Sequence, residues 1–427
     1  MCEKIMKFGM ILIVCISFQS LALCAEFAGG TGEPNDPYQI ATGEQLISIG
    51  SDPNLMDKHF TLVNDIDLDP NLPGGSIFTD AVIARDESDG VSGHTGFPFR
   101  GILDGQGHTI ANLHIEGKYG YDAGLIGNLS GLVKDLHFTD VVVSGSPCGA
   151  IAGLNQQGVI LRCTATGQVS GLEDIGGLVG ANWEGSLVEC KAEVQVTGGD
   201  NAGGMVGGGP GGTLIHCEVR ADVSGENNIG GLAGKSHQGQ IMECKTTGIV
   251  VGNNNVGGLI GASDRTIVWW SSSKCEVTAE ETAGGLTGSA VWSSGPVLVN
   301  CYAQGSVTGS TIGGIAGEAR HNQVINCYSA CELIGLEFEG REPVVGGLIG
   351  DSMVSAWAPL TIGCFWDAEL SGVDVGVGPD QLELGTGLTT EQMLDKESFV
   401  NAGWDFGHTW IMPDGDYPIL QWEKAGN

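Results

Sequence analysis

The sequence predicts an all-β fold: a right-handed parallel β-helix (β-solenoid) of about nine turns of ~27 residues each, with irregular N- and C-terminal capping segments. Three observations predict it. A Gly-rich pentapeptide, seen at its clearest as Gly176-Gly177-Leu178-Val179-Gly180, starts again at Ala123, Gly149, Gly203, Gly230, Gly257, Gly284, Gly313 and Gly346, at intervals of 26, 27, 27, 27, 27, 27, 29 and 33 residues. Each unit holds three apolar runs too short for helices and rich in Gly, Val and Thr. Cys163, Cys190, Cys217 and Cys244 stand 27 residues apart, so one side chain keeps one place in every unit. About 27 residues at ~3.3 Å each give at most ~90 Å of contour, enough for three short strands and three bends. Parallel crossovers are overwhelmingly right-handed, which sets the expected hand.

In chain order, residues 1–25 read as a secretory signal, with Lys4 and Lys7 ahead of the apolar run from Phe8 to Leu23. Residues 26–121 lack the repeat and are expected to form an N-terminal cap. Within them, Gln45 to Ile49 predict a short helix ending at Gly50, and Phe60 to Leu68 alternates as a strand. Phe99 to Ile115 alternates again around the turn Asp104-Gly105-Gln106-Gly107. Residues 122–372 are the array. Residues 373–427 leave the period, with a helix start at Thr389-Thr390-Glu391-Gln392 and a Trp-rich ending expected to plug the last turn.

Within the array, the cysteine slot continues through Cys275, Cys301, Cys327 and Cys364. Two residues before each Cys stand Leu161, Val188, Ile215, Met242, Val299, Ile325 and Ile362, with Ser273 breaking the column. Strict alternation predicts that this column and the Cys column point inward together. The outward columns read Arg162, Glu189, His216, Glu243, Lys274, Asn300, Asn326 and Thr164, Lys191, Glu218, Lys245, Glu276, Tyr302, Tyr328, Phe365.

Gly makes up 72 of 427 residues without a Gly-X-Y triplet, which excludes collagen and assigns the glycines to turns. The formal charge of -33 disfavours nucleic acid and anionic membrane surfaces as partners. Beyond the leader, no apolar run is long enough for a membrane helix. The composition therefore suits a secreted or cell-surface chain.

The repeated Gly-Gly-Leu-Val-Gly, followed by Val188-Glu189-Cys190-Lys191-Ala192 and Val194-Gln195-Val196-Thr197-Gly198, resembles the GLUG motif of bacterial secreted and surface proteins, including adhesin-like chains and some IgA-specific metallopeptidases. The resemblance covers about residues 100–372. It implies an extracytoplasmic solenoid and leaves activity open. The peptidase relatives need a His-Glu-x-x-His zinc site, and this sequence has none, so that activity does not carry over.

Four sets of residues could carry function. The structural Cys ladder could stack as buried thiols or pair as disulfides, since neighbouring turns bring Cα atoms ~4.8 Å apart. Trp269, Trp270, Trp292 and Trp357, expected in lengthened loops after the Gly-rich strand with Trp183 in the same loop, could join Tyr302, Tyr328 and Phe365 in an exposed aromatic strip that stacks sugar rings; burial of the tryptophans by their own loops is the other reading. Glu189, His216 and Glu243 could form an acid/base set, although paired charges stabilising the stack explain them as well. Acidic and amide residues before each Gly-rich strand (Glu173-Asp174, Asp200-Asn201, Glu226-Asn227-Asn228, Asn253-Asn254-Asn255, Glu280-Glu281), and Asp65, Asp67 and Asp69, could bind Ca²⁺ or simply form polar turns. No other cofactor is implied: Gly207, Gly209 and Gly212 match Gly-x-Gly-x-x-Gly but interrupt a repeat at Pro210 with no helix to follow. The expected function is a non-catalytic surface, adhesin-like or extracellular binding protein, with a polysaccharide or surface protein as partner. A β-helical carbohydrate-active enzyme and a purely structural spacer are the alternatives.

Overall fold

The computed structural model describes residues 26–424 apart from 74, 87–94, 291–295, 321, 353–359 and 379–383, so the expected leader lies outside the described residues. The chain winds into a parallel β-solenoid. One sheet of twelve strands runs from Tyr38–Ile40 to Leu360–Ile362, and a second of nine runs from Ile126–Leu129 to Ile349–Asp351. The third wall takes two strands from a typical coil, such as Thr164–Ser170 and Glu173–Gly176. Pairing between coils is parallel and in register at the repeat period: Val159–Leu161 lies beside Ser186–Val188, which lies beside Thr213–Ile215.

Inside, each coil contributes a ring of apolar side chains; Leu187, Cys190, Ala192, Val194, Val196, Ala202 and Met205 are all buried. The Gly-Gly pair makes the sharp bend into the second sheet. A Cβ on Gly177 would stand 2.1 Å from the carbonyl oxygen of Gly204 in the next coil, so only hydrogen fits between the two backbones.

The inward face differs from strict alternation. The buried positions lie three residues before the Cys (Ile160, Leu187, Leu214, Ile241, Leu298, Val324), with Val268 in the same column three before Ser271, whereas Leu161, Val188 and Ile215 are half-exposed. The cause is the residue between. Arg162, Glu189, His216, Glu243, Asn300 and Asn326 all take left-handed φ values, from 50° to 56°, and one such residue turns the corner and breaks the period-two parity.

The stack begins before the repeat does. Tyr38–Ile40, His59–Leu62 and Ile102–Asp104 are the first three strands of the twelve-stranded sheet, so much of the expected cap is itself coiled. Its loops vary too much in length to show a period. The helix Gly43–Ile49 forms as expected, capped by Thr42 and ending at Gly50, and buries Leu46 and Ile49.

The C-terminal segment starts on the last coil, where Val377 is buried beside Ile349 and Thr386–Leu388 pairs with Phe365–Asp367. After the helix Thr390–Met393 with its Thr389 capping box, the chain turns back and runs down the side of the third wall. Trp404 Nε1 donates to the Gly363 carbonyl (2.9 Å), Tyr417 Oη to Asp367 Oδ2 (2.7 Å) and Tyr328 Oη to the Pro418 carbonyl (2.6 Å). Trp422 Nε1 then donates to the Trp270 carbonyl (2.8 Å), and the Trp422 ring reaches His216 at 5.2 Å between centroids.

Candidate binding groove

Sheet register places Trp183, Pro210, His237 and Asp264 in one column over four successive coils, just past the strands of the second sheet. Beside it runs the column Ala181, Gly208, Lys235, Ala262. Where other coils carry side chains, one coil has Gly208-Gly209-Pro210. A Cβ on Gly208 would come within 2.6 Å of Asp174 Oδ1, and Gly209 holds φ at 143° against the Asn182 carbonyl. A groove of about 460 Å³ runs along this column. Its walls are Trp183 and Pro210 on one side and Asp174, Asn201 and Lys235 on the other, with His237 and Asp264 further along.

The polar groups are held firmly. His237 Nδ1 lies 2.7 Å from Asp264 Oδ2. Asn201 Nδ2 donates to Asp174 Oδ1 at 2.9 Å. Burial pushes the Asp174 carboxyl up to about 6, partly opposed by the Asn201 amide and the Lys235 ammonium. Trp183 stays 47% exposed although its neighbours Ala181 and Asn182 are buried. A flat aromatic rim with fixed donors and acceptors beneath it is suited to a ligand with both an apolar face and hydroxyl groups. The sequence carried the signal as Gly207, Gly209 and Gly212, a Gly-x-Gly-x-x-Gly match that is no dinucleotide site. Its meaning depends on which coils flank it.

The residues expected to form the aromatic strip are only partly brought together, and much of the strip is covered. Tyr302 and Tyr328 stack with ring centroids 5.1 Å apart and are fully buried, with Phe365 7% exposed, beneath Phe399, Trp404 and Trp410 of the returning C-terminal segment. Trp269 does not sit in a loop: it ends the strand Ile267–Trp269, paired with Met242 and Val299. Trp270 follows it in the left-handed corner, at φ 49°, packed against the C-terminal cluster. Trp292 and Trp357 lie outside the described residues.

The Cys column needs one correction. Cys163, Cys190, Cys217, Cys244, Cys301, Cys327 and Cys364 form a buried ladder. Cys275 belongs elsewhere, because it aligns with Gly248 below and Gly305 above, and Cys331 lies one coil further up. The residue that takes the ladder place in that coil is Ser271, whose hydroxyl accepts from the Cys244 amide at 3.2 Å. The outward columns shift by the same four residues, so Ser272 replaces Glu276 and Trp270 replaces Lys274. The ten described cysteines are free thiols. Cys190 Sγ is 3.3 Å from the Val188 carbonyl and 3.5 Å from the Ile160 carbonyl, a weak-donor arrangement repeated coil by coil.

Glu189, His216 and Glu243 occupy successive left-handed corners. His216 Nδ1 pairs with Glu243 Oε2 at 2.8 Å, and Glu189 and His216 line a cleft of about 420 Å³ with Arg162, Lys191, Glu218 and Lys245, walled by Trp422. Glu218, against its partial burial, is held below the usual carboxylate range by Lys245 (2.5 Å) and Lys191 (2.9 Å). Glu218 and Glu243 are thereby engaged in ion pairs along the stack.

The acidic bends are engaged too. Asn228 donates to Asn201 Oδ1 (2.9 Å), Asn255 to Asn228 Oδ1 (3.0 Å) and Asn227 to Asp200 Oδ1 (2.9 Å). Asp67 Oδ1 accepts from the Asp69 amide and from Asn112. Oxygens committed to amide donors suit a polar ladder better than a Ca²⁺ shell. Among the described residues no group of three or more His, Cys, Asp or Glu is placed to hold a metal ion.

No family model matches the chain. It is 34% identical to halomucin of Haloquadratum walsbyi over 154 residues, covering 35% of this chain and 2% of that one. It is 33% identical to a predicted Gly-rich membrane protein of Evansella cellulosilytica over 124 residues, covering 28% of this chain and 13% of the other. The chain thus spans a small part of either relative. Among solved structures, a predicted immunoglobulin A1 protease of Bacteroides ovatus aligns over 93% of this chain and 95% of its own at 18% identity and a TM-score of 0.42. An IgA1 protease aligns over 77% of this chain and 21% of its own at 16% identity and a TM-score of 0.37. Likenesses this distant carry no argument about activity. No helix among the described residues is long and apolar enough to cross a membrane.

Proposed function

We propose that the chain is an extracytoplasmic, non-catalytic binding solenoid of the surface or adhesin-like kind, and that it binds glycan in the groove beside Trp183. The observation that carries the reading is the half-exposed Trp183 ring on the rim of a cavity whose floor is glycine and whose walls are Asp174, Lys235 and His237. An indole face offers a sugar ring an apolar platform, and the flanking groups satisfy its hydroxyls. The acidic composition, the leader-like start and the likeness to halomucin and to a Gly-rich membrane protein support a place outside the cytoplasm.

The test is a glycan array probed with the mature protein and with Trp183→Ala, read for retention and for cleavage products. The reading expects retention without cleavage, weakened at least about tenfold by loss of the ring, since one good stacking contact is worth on the order of 1–3 kcal/mol. Equal retention by both proteins removes Trp183 from the site. Released products would favour the enzyme reading.

A further inference from the structure

Resting on the glycan reading, we infer that the groove takes a linear, uncharged glycan of at least two rings lying parallel to the solenoid axis, with one ring on Trp183 and a later one on the His237–Asp264 pair.

The direction follows from register. Trp183, Pro210, His237 and Asp264 stand one above another in consecutive coils, so the groove they border runs up the stack and not around it. Three coil steps at ~4.8 Å set the indole and the Asp264 carboxylate about 14 Å apart, longer than one pyranose. The two ends also differ in chemistry. At the lower end the ligand meets an exposed aromatic face and the Pro210 ring, which recognise the C–H face of a sugar. At the upper end it meets the His237–Asp264 pair, 2.7 Å across, with Ser236 and Ser263 beside it, which recognise hydroxyls. Between them the glycines at 208 and 209 let the chain lie against backbone.

Charge decides against acidic sugars. The groove holds three carboxylates, Glu173, Asp174 and Asp264, against Lys235 and a histidine already engaged by Asp264. The chain as a whole carries -33, a field that repels a polyanion before contact. Lys235 is exposed at the groove's edge, where its charge acts on Asp174.

The experiment is calorimetry with neutral glucose, mannose and N-acetylglucosamine oligomers of one to four rings, and with the C6-oxidised, uronate forms of the same chains. Affinity should rise at least about tenfold from one ring to three and then level off, and the uronates should bind at least about tenfold more weakly. His237→Ala, and Asp264→Asn as a milder second variant, should erase the gain from length. Trp183→Ala should weaken every length. Circular dichroism confirms that each variant folds. Binding that ignores length, or uronates that bind as well as neutral chains, overturns this inference and leaves the glycan reading standing. Failure of every oligomer and of the array overturns both.

Discussion

Asp174 shows how much one buried side chain can influence. Its carboxyl is pushed up to about 6 from an unfolded value near 4, so the native state holds a proton that the unfolded chain has already released. The sign follows directly: this group contributes stability below about pH 4 and loses that contribution as pH rises through about 6. Asp174→Asn keeps the amide ladder with Asn201 and removes the charge. Denaturant midpoints should therefore show the variant equal to the parent at pH 3.5 and more stable by up to about 3 kcal/mol at pH 7.5. A gain of the same size at both pH values would mean that charge is not the cause. The cysteines make the opposite point. Their side chains point into the apolar core. The Cys190 thiol is pushed well above the usual range by its hydrogen bond with Cys217 and by burial, and the Cys163 thiol is pushed up by burial, so these behave as small apolar groups and are poor nucleophiles. Cys275 was misplaced because it is the same residue type as the ladder. The strict spacing of 27 from Cys244 leads to Ser271, so at this coil the period was the better guide than the residue.

At the scale of the coil, the Gly-Gly bend is what lets successive turns close up. Gly177→Ala would drive a methyl into the Gly204 carbonyl, and backbone on both sides has no rotamer to offer as relief. A loss of more than about 2 kcal/mol in urea unfolding is expected, against less than about 0.5 kcal/mol for a substitution such as Gln195→Ala on the exposed third wall. Parity at the two sites would mean that the coils do not close through this bend. The strands themselves were legible because apolar runs and glycines repeat. The corner before each Cys was not. Nothing in Arg, Glu, His, Glu and Asn as residue types announces a left-handed φ, and the requirement comes from the angle at which two sheets meet.

Over the whole molecule, the C-terminal segment is the element that most changes the reading of the surface. It lays Phe399, Trp404, Trp410 and Trp422 along the third wall and seals Tyr302 and Tyr328, while Glu423 accepts from Tyr302 Oη at 2.7 Å. A chain ending at Leu388 should keep its solenoid circular dichroism, because the ladders below do not depend on the segment. It should also bind 8-anilinonaphthalene-1-sulfonate and melt lower, since a large aromatic patch becomes exposed. An unchanged melting temperature with no dye binding would show that the segment does not cover those rings in solution.

The sequence by itself determined the parallel solenoid, the approximate number of repeat turns, the short helices at Gly43–Ile49 and Thr390–Met393 and the identity of most ladder thiols. Each of these depends on contacts that recur at a fixed spacing or lie within a few residues. Only the tertiary structure decided where the stack begins, which aromatic rings are covered and where the groove lies. The covered rings pair residues as far apart as Trp270 and Trp422, and the groove is lined by residues of four coils, from Glu173 to Asp264. A hollow is defined by what surrounds it, so no position in the chain records it alone.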